Sequence, residues 1–170
     1  RELGWAGLRQ ARIRVALGAV VGPDNVAFDP FTLTAHATDA TDWRLHLPLC
    51  VAFPTRESQV APLLAAIARL KLKAIPRGAA TGLTGGCVPL AADCVMVNTE
   101  RLDAIRGIAQ VQDTGPDGAP RTVSLLEVEA GVITEDAIRY AEHRHHVFAT
   151  DPTSAWACTS GTLSALAAPM

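Results

Sequence analysis

Pro76 to Leu90 reads PRGAATGLTGGCVPL. Four glycines, Gly78, Gly82, Gly85 and Gly86, fall within nine residues, interleaved with Thr81 and Thr84, directly after an apolar run that ends at Ile75. Glycine reaches positive φ without a Cβ penalty, so successive N–H groups of such a loop can converge on one anion while threonine hydroxyls add donors. Two well-known phosphate loops are excluded. A P-loop places Lys and Ser/Thr straight after its last glycine, whereas Cys87 and Val88 follow Gly86. A dinucleotide fingerprint, GxGxxG, opens a long helix, but Gly78 and Gly82 are four apart and Pro89 follows too soon. A phosphate held here is wrapped by the loop rather than capped by a helix; the plain alternative is a tight structural turn.

Outward from the loop, the chain reads as strand, helix, strand, loop, the order of a βαβ unit. Leu45 to Phe53 is an apolar strand closed by Pro54. Arg56 to Leu72 is an amphipathic helix with Val60, Leu63, Leu64, Ile67 and Leu70 on one face, starting near Ser58 so that Pro62 lies in its first turn. Arg69, Lys71 and Lys73 sit where the helix dipole favours cations. Lys73 to Ile75 leads into the loop. Upstream, Leu3 to Val21 is a helix stopped by Gly22 and Pro23, whose arginines Arg9, Arg12 and Arg14 read as a solvated face before they read as an anion site. Asn25 to Thr41 is polar and turn-rich.

Downstream, Cys94 to Val97 is a strand, Gly107 to Gln112 another, and Asp113 to Arg121 a turn-rich excursion. Val123 to Ala130 alternates as a half-buried strand does. Thr134 is the expected N-cap of a helix that runs to about His145. These elements predict an α+β fold: a small mixed sheet with flanking helices, then the start of a second, incomplete sheet. The expected units are a lead-in over 1–33, a first subdomain over 34–106 and a second over 107–170.

Composition narrows the function classes. The 170 residues are 49% hydrophobic and 19% charged with a net charge of -2, which gives no global field for nucleic acid or an anionic surface. The four cysteines form neither a zinc pattern nor a disulfide framework, so reduced thiols in the cytoplasm are expected. No apolar run is long enough to span a membrane. The chain opens on Arg1 and stops at Met170, which reads as a piece of a longer protein. His143, His145 and His146 point around a helix end rather than converging, so no metal site is expected; His36 and His46 read as structural, and Asp39 and Asp42 as turn caps.

Six stretches carry a resemblance. ATDATDWR (Ala37 to Arg44), VAFPTRESQV (Val51 to Val60), IPRGAATGLTGGCVPL, VMVNTERLDAI (Val95 to Ile105), VEAGV (Val128 to Val132) and FATDPTSAWACTSGT (Phe148 to Thr162) occur in this order. Together they resemble the FAD-binding domain of the vanillyl-alcohol oxidase and p-cresol methylhydroxylase (PCMH-type) superfamily, in its D-lactate dehydrogenase and glycolate oxidase branch. Within that branch they are most similar to long bacterial FAD-linked oxidoreductases with a downstream iron–sulfur region, of which this would be the N-terminal fragment.

The resemblance implies non-covalent FAD, since no histidine stands between Pro76 and Leu90 to carry it. It assigns the pyrophosphate to Pro76, Arg77, Gly78, Ala79, Ala80, Thr81, Gly82, Leu83, Thr84, Gly85 and Gly86, and a close backbone approach to Gly131. The ribityl chain and isoalloxazine fall to a second loop with Asp151, Pro152, Thr153, Ser154, Thr159, Gly161 and Thr162. Cys87 and Cys158 would lie near the flavin. The chain departs from the family pattern at Ser160, at Thr162 where glycine is usual, and at the closing LAAPM. No catalytic base is expected within this stretch.

The implied reaction is oxidation of a D-2-hydroxy acid such as lactate or glycolate, with electrons passing to an iron–sulfur region or subunit, a cytochrome or a quinone rather than to NAD. The implied location is the cytoplasm, or the periphery of the inner membrane in a full-length protein. Two rival readings remain: the FAD domain of a PCMH-type reductase of cell-wall precursors, and an inactive truncated remnant that holds no FAD.

Overall fold

The computed structural model describes residues 2–150 and 152–161. Helix α1 (Glu2–Val21) stops where Gly22 takes φ 96° and Pro23 has no N–H to continue the ladder. Then come β1 (Val26–Ala27), α2 (Pro30–Ala35), β2 (Cys50–Ala52), α3 (Val60–Arg69), β3 (Lys73–Arg77), β4 (Cys94–Asn98), β5 (Ile105–Thr114), β6 (Pro120–Val128) and α4 (Thr134–Glu142). The first four strands form one mixed sheet in the order β1-β2-β4-β3, with β2, β4 and β3 parallel and β1 an antiparallel edge. The crossover from β2 through α3 to β3 skips one position, and β4 fills it.

Strand β4 is buried along its whole length, as a central parallel strand covered on both faces must be. Its alternate side chains face two separate apolar layers. Val95 and Val97 join Cys50, Ala52, Leu63, Ala66 and Ile67 beneath α1, which contributes Ile13, Leu17 and Val21. Met96 turns the other way, onto Val51, Phe53 and Leu33 of α2. Gln59 locks the start of α3: its Oε1 accepts from Thr55 N at 2.8 Å and Arg56 N at 3.2 Å, while its Nε2 donates to the Val20 carbonyl of α1 at 3.2 Å. Pro62 lies in the first turn of this helix, where its missing N–H costs least.

Strands β5 and β6 form a second, two-stranded antiparallel sheet. Here the structure extends the sequence reading. Asp113, Thr114, Pro120 and Arg121, expected in an excursion, belong to the ladder, and Arg121 ties across it to Asp113. The turn itself needs only residues 115–119, closed by Gly115 N donating to Ala119 O at 2.8 Å with Gly118 at φ 78°.

Three other expectations change. The strand predicted from Leu45 to Phe53 contracts to Cys50–Ala52, because its partner β1 is two residues long and Pro48 lacks the N–H to pair further back. The turn-rich stretch of residues 25–41 contains α2, capped by the Asp29 carboxylate, which accepts from Thr32 N at 2.9 Å. Thr134 is not an N-cap; that position is Ile133, and the Thr134 hydroxyl donates to the Cys158 carbonyl at 2.9 Å. Among the described residues no helix is long and apolar enough to cross a membrane.

The two sheets meet through a tight turn. Gly131 N donates to Leu102 O at 2.6 Å, and a Cβ on Gly131 would lie 2.3 Å from Thr99 O and 2.8 Å from the carbonyls of Glu100 and Leu102. All three are backbone atoms that cannot swing aside. Gly131→Ala is therefore expected to cost about 3 kcal/mol or more, measured as a lowered urea midpoint; a change below 1 kcal/mol, roughly the ordinary surface range, would contradict this packing.

Candidate functional site

β3 and β4 run parallel, so their carboxyl ends open at the same edge of the sheet, where α/β folds place ligands. From Arg77 the chain enters the glycine loop; from Asn98 it enters a turn over residues 99–102. Thr99 bonds the two exits together, its N–H donating to Arg77 O at 2.9 Å and its hydroxyl to the same oxygen at 3.3 Å.

The second predicted loop reaches this edge. Ser160 N donates to Val132 O at 2.9 Å and Gly161 N to Ala130 O at 2.7 Å, and Ile133 bridges to Thr159. Ala79 N then donates to the Thr159 hydroxyl at 3.1 Å, joining segments eighty residues apart. The result is a cavity of about 340 Å³ walled by Pro76, Arg77, Gly78, Gly82, Thr84 and Gly86 on one side and by Ala130 and Gly161 on another. Thr99, Cys87 and Asp39 complete it. Beside it lies a second cavity of about 430 Å³, lined by Ala79, Gly131 and Thr159 together with Glu100, Asp103 and Asp136.

The remaining predicted residues take other places. Ala80 is buried, Thr81 is half-buried, Leu83 is exposed, and Gly85 sits at φ 73° beneath the Trp43 ring. Pro152, Thr153 and Ser154 form a turn that supports the second loop, with Cys158 N donating to Ser154 O at 2.7 Å. They do not line the cavity. Asp151 and Thr162 lie outside the described residues.

Among the described residues, the N–H groups of residues 80–86 make no hydrogen bond to protein. The loop thus carries a run of unbonded amides, and glycines 78, 82 and 86 are among the residues that line the cavity. An unpaired amide costs roughly 1–3 kcal/mol if buried dry, so these groups require water or an anionic ligand.

Arg77 supports the loop from behind. Its guanidinium donates to Thr38 O at 2.6 Å and to Ala35 O at 3.2 Å, which pins residues 35–38 beneath the glycines. Asp39 was expected to cap a turn, and it does so: Oδ1 accepts from Thr41 N at 2.9 Å and from the Thr41 hydroxyl at 2.5 Å. Burial pushes the Asp39 pKa up, but the bonds from Thr41, the Cys87 amide and the Arg77 charge together hold it below the usual carboxylate range. Burial raises the Cys87 thiol, which keeps it protonated at neutral pH. The contribution of Asp39 and Thr99 to the cavity was hidden in the sequence, since both sit in short polar stretches whose turns bend them toward a loop far away in the chain.

A half-buried network centred on Asn98 stiffens the same edge. His36 Nδ1 lies 2.8 Å from Thr32 O, an acceptor, so that nitrogen carries the proton and Nε2 accepts from Asn98 Nδ2 at 2.9 Å. Asn98 in turn accepts from Glu100 N at 2.9 Å and donates to Glu100 Oε2 at 3.0 Å, shaping the turn after β4. Burial lowers the His36 pKa, helped by the nearby Arg77 charge. A His whose folded pKa is depressed stabilises the fold above its unfolded pKa and loses that contribution as pH falls.

Two expected outcomes follow from this geometry. Stability should decline as pH drops below about 6.5, and His36→Gln should flatten that slope in denaturant titrations run across the range; an unchanged slope would remove His36 as its source. Ala80 holds φ 56° without being glycine, a conformation that costs an L-residue roughly 1–2 kcal/mol. Ala80→Gly is expected to raise the thermal midpoint through relief of that strain, and a lowered midpoint would show that the Ala80 methyl packs more usefully than its backbone suffers.

Known proteins resemble this chain in sequence and in fold. Residues 48–168 match the family of the FAD binding domain. The glycolate oxidase subunit GlcD of Escherichia coli K12 is 33% identical over 115 residues, covering 67% of this chain and 20% of its own length. GlcD of Bacillus subtilis 168 is 25% identical over 149 residues, covering 88% of this chain and 29% of its own. The chain thus spans less than a third of the curated relatives it matches. Among solved structures, alkyldihydroxyacetonephosphate synthase shares the fold with a TM-score of 0.73 at 15% identity, over 89% of this chain and 28% of that one. p-Cresol methylhydroxylase shares it with a TM-score of 0.65 at 16% identity, over 88% of this chain and 28% of that one. With its wrapped glycine loop met by a second loop across one cavity, the chain belongs to the FAD binding domain family.

Proposed function

We propose that this chain is the FAD-holding part of a dehydrogenase that oxidises a D-2-hydroxy acid of the lactate or glycolate type and delivers the electrons to an acceptor other than NAD. The observation that carries this reading is the meeting of the two loops: Ala79 N on the Thr159 hydroxyl, with Gly78, Gly82, Gly86 and Gly161 around one cavity. The substrate class is supported by the GlcD relatives, which are glycolate oxidase subunits, and by the ATDATDWR segment. The absence of GxGxxG opening a helix supports a non-NAD acceptor, such as an iron–sulfur region or subunit, a cytochrome or a quinone.

The residues present fit FAD. A diphosphate needs several donors without bulky side chains, and the amides of residues 80–86 with the hydroxyls of Thr81 and Thr84 offer them. Arg77 would act by holding the loop against residues 35–38, and its charge would favour an anion nearby. Pro76, Ala79, Leu83 and Gly85 would shape the loop's path, and Gly131 would keep the 130–133 turn close enough for Ala130 and Gly161 to wall the site. Pro152, Thr153, Ser154 and Thr159 would position the second loop, which ends with Asp151 and Thr162 in the assignment made from sequence. When bound, FAD supplies a two-electron acceptor for the α-carbon hydride. No histidine stands in the loop, and the described His36 ring is engaged at both nitrogens, so attachment would be non-covalent. Such a protein would work in the cytoplasm or, at full length, at the periphery of the inner membrane.

The test is to titrate FAD into the purified chain and follow flavin absorbance and fluorescence. Binding is expected. Gly82→Val, which adds a branched side chain to the cavity wall, should weaken it at least ~30-fold, about 2 kcal/mol; unchanged affinity would contradict the loop assignment. In the full-length protein D-lactate or glycolate should bleach the flavin, and bleaching by neither would refute the substrate class while leaving the cofactor site standing.

A further inference from the structure

Helix α1 carries two apolar faces. Ile13, Leu17 and Val21 are buried in the core beneath the sheet. Leu8 and Val15 are 67% and 73% exposed, and with the exposed Ala11 and Ala19 they follow an i, i+3, i+7, i+11 spacing that places them on one outward stripe. The stripe is about 16 Å long, and large side chains alternate with small ones along it.

Beside this stripe lies a cleft of about 290 Å³ bordered by Arg9 and Arg12 of α1 and by Arg69 and Lys71 at the end of α3. Among the described residues, none of these four cations has an ion-pair partner. The Arg9 charge is felt by the Asp93 carboxylate, but Lys73 holds both of its oxygens, at 2.7 and 2.9 Å. The other arginine of this part of α1, Arg14, is stacked over Phe28 at 4.6 Å. The dipole at the end of α3 accounts for Arg69 and Lys71 in part, but it gives no reason for Arg9 and Arg12 to face them from another helix.

The charges discriminate between occupants. A second copy docked through the same cleft would set cations against cations, because among the described residues no carboxylate lines it. A lipid surface would receive only two large apolar side chains. A helix with its own apolar seam fits better, since Ala11 and Ala19 leave hollows between Leu8 and Val15, as knobs-into-holes packing requires. We propose that the outer face of α1 is a docking site for an acidic amphipathic helix of a partner protein, whose seam covers Leu8, Ala11, Val15 and Ala19 and whose carboxylates meet Arg9, Arg12, Arg69 and Lys71. The face lies at the opposite edge of the sheet from the glycine loop: Arg69 to Leu72 precede β3 and the loop follows it, a separation of about 16 Å along the strand. Partner and cofactor can therefore be held together.

Two dye-labelled synthetic helical peptides of about five turns, with the same leucine–alanine seam but glutamate flanks in one and lysine flanks in the other, test this by fluorescence anisotropy. The glutamate peptide is expected to bind, more weakly as salt rises, and the lysine peptide not to. Val15→Asp on the stripe and the pair R12E/K71E across the cleft should each weaken binding at least tenfold, with unchanged far-UV circular dichroism. Equal binding of both peptides, or full binding by both variants, would overturn the proposal. So would sedimentation as a dimer that Val15→Asp dissolves, or binding to phosphatidylglycerol vesicles that the same variants abolish while neither peptide binds.

Discussion

Backbone amides that find no acceptor in the protein must find one outside it, and residues 80–86 concentrate that demand in one place. The surrounding architecture makes the demand sustainable. β3 and β4 run parallel and stop together, Thr99 links their exits, and Arg77 fixes the base of the loop to the carbonyls of Thr38 and Ala35. The loop itself can then remain open on its inner side, because its shape is imposed from behind rather than by bonds across it. Positive φ at Gly85 and Ala80 turns the chain where a helix would otherwise begin.

The rest of the small sheet serves to make that edge rigid. β4 is buried throughout, between α1 and α3 on one face and α2 with Phe53 on the other. Its last residue, Asn98, is 2% exposed yet fully bonded to His36 and Glu100, so the strand ends in a polar clamp directly beside the cavity. Polar atoms buried this deeply cost stability when left unpaired and specify one geometry when paired.

Much of this was legible in the sequence, and the parts that were not have identifiable causes. α3 and β4 announce themselves because local pattern and tertiary burial agree: Val60, Leu63, Ile67 on one side of a helix, CVMV in a covered strand. The glycine loop is equally plain, four glycines in nine residues directly after an apolar strand. Thr134 misled because a hydroxyl before acidic residues suits a cap, whereas here it serves the Cys158 carbonyl, a partner that only the folded chain supplies. That Asp39, expected only as a turn cap, and Thr99 line the cavity was hidden for the same reason. Gly131 was read as making room for a ligand, while in the structure the immediate neighbours it makes room for are the carbonyls of residues 99–102. Long-range contacts of this sort leave no periodic trace.

The bond from Ala79 N to Thr159 Oγ1 also bears on the order in which the protein is made. Residues 2–98 supply the first sheet and the helices packed on it, but the far wall of the cavity, Ala130 and Gly161, is synthesised after them. At roughly 5–20 residues per second of translation, the glycine loop waits several seconds for the segment that closes it. During that interval its amides face only water. Closure of the cavity is thereby set by the position of one threonine in the chain rather than by the speed with which the loop folds.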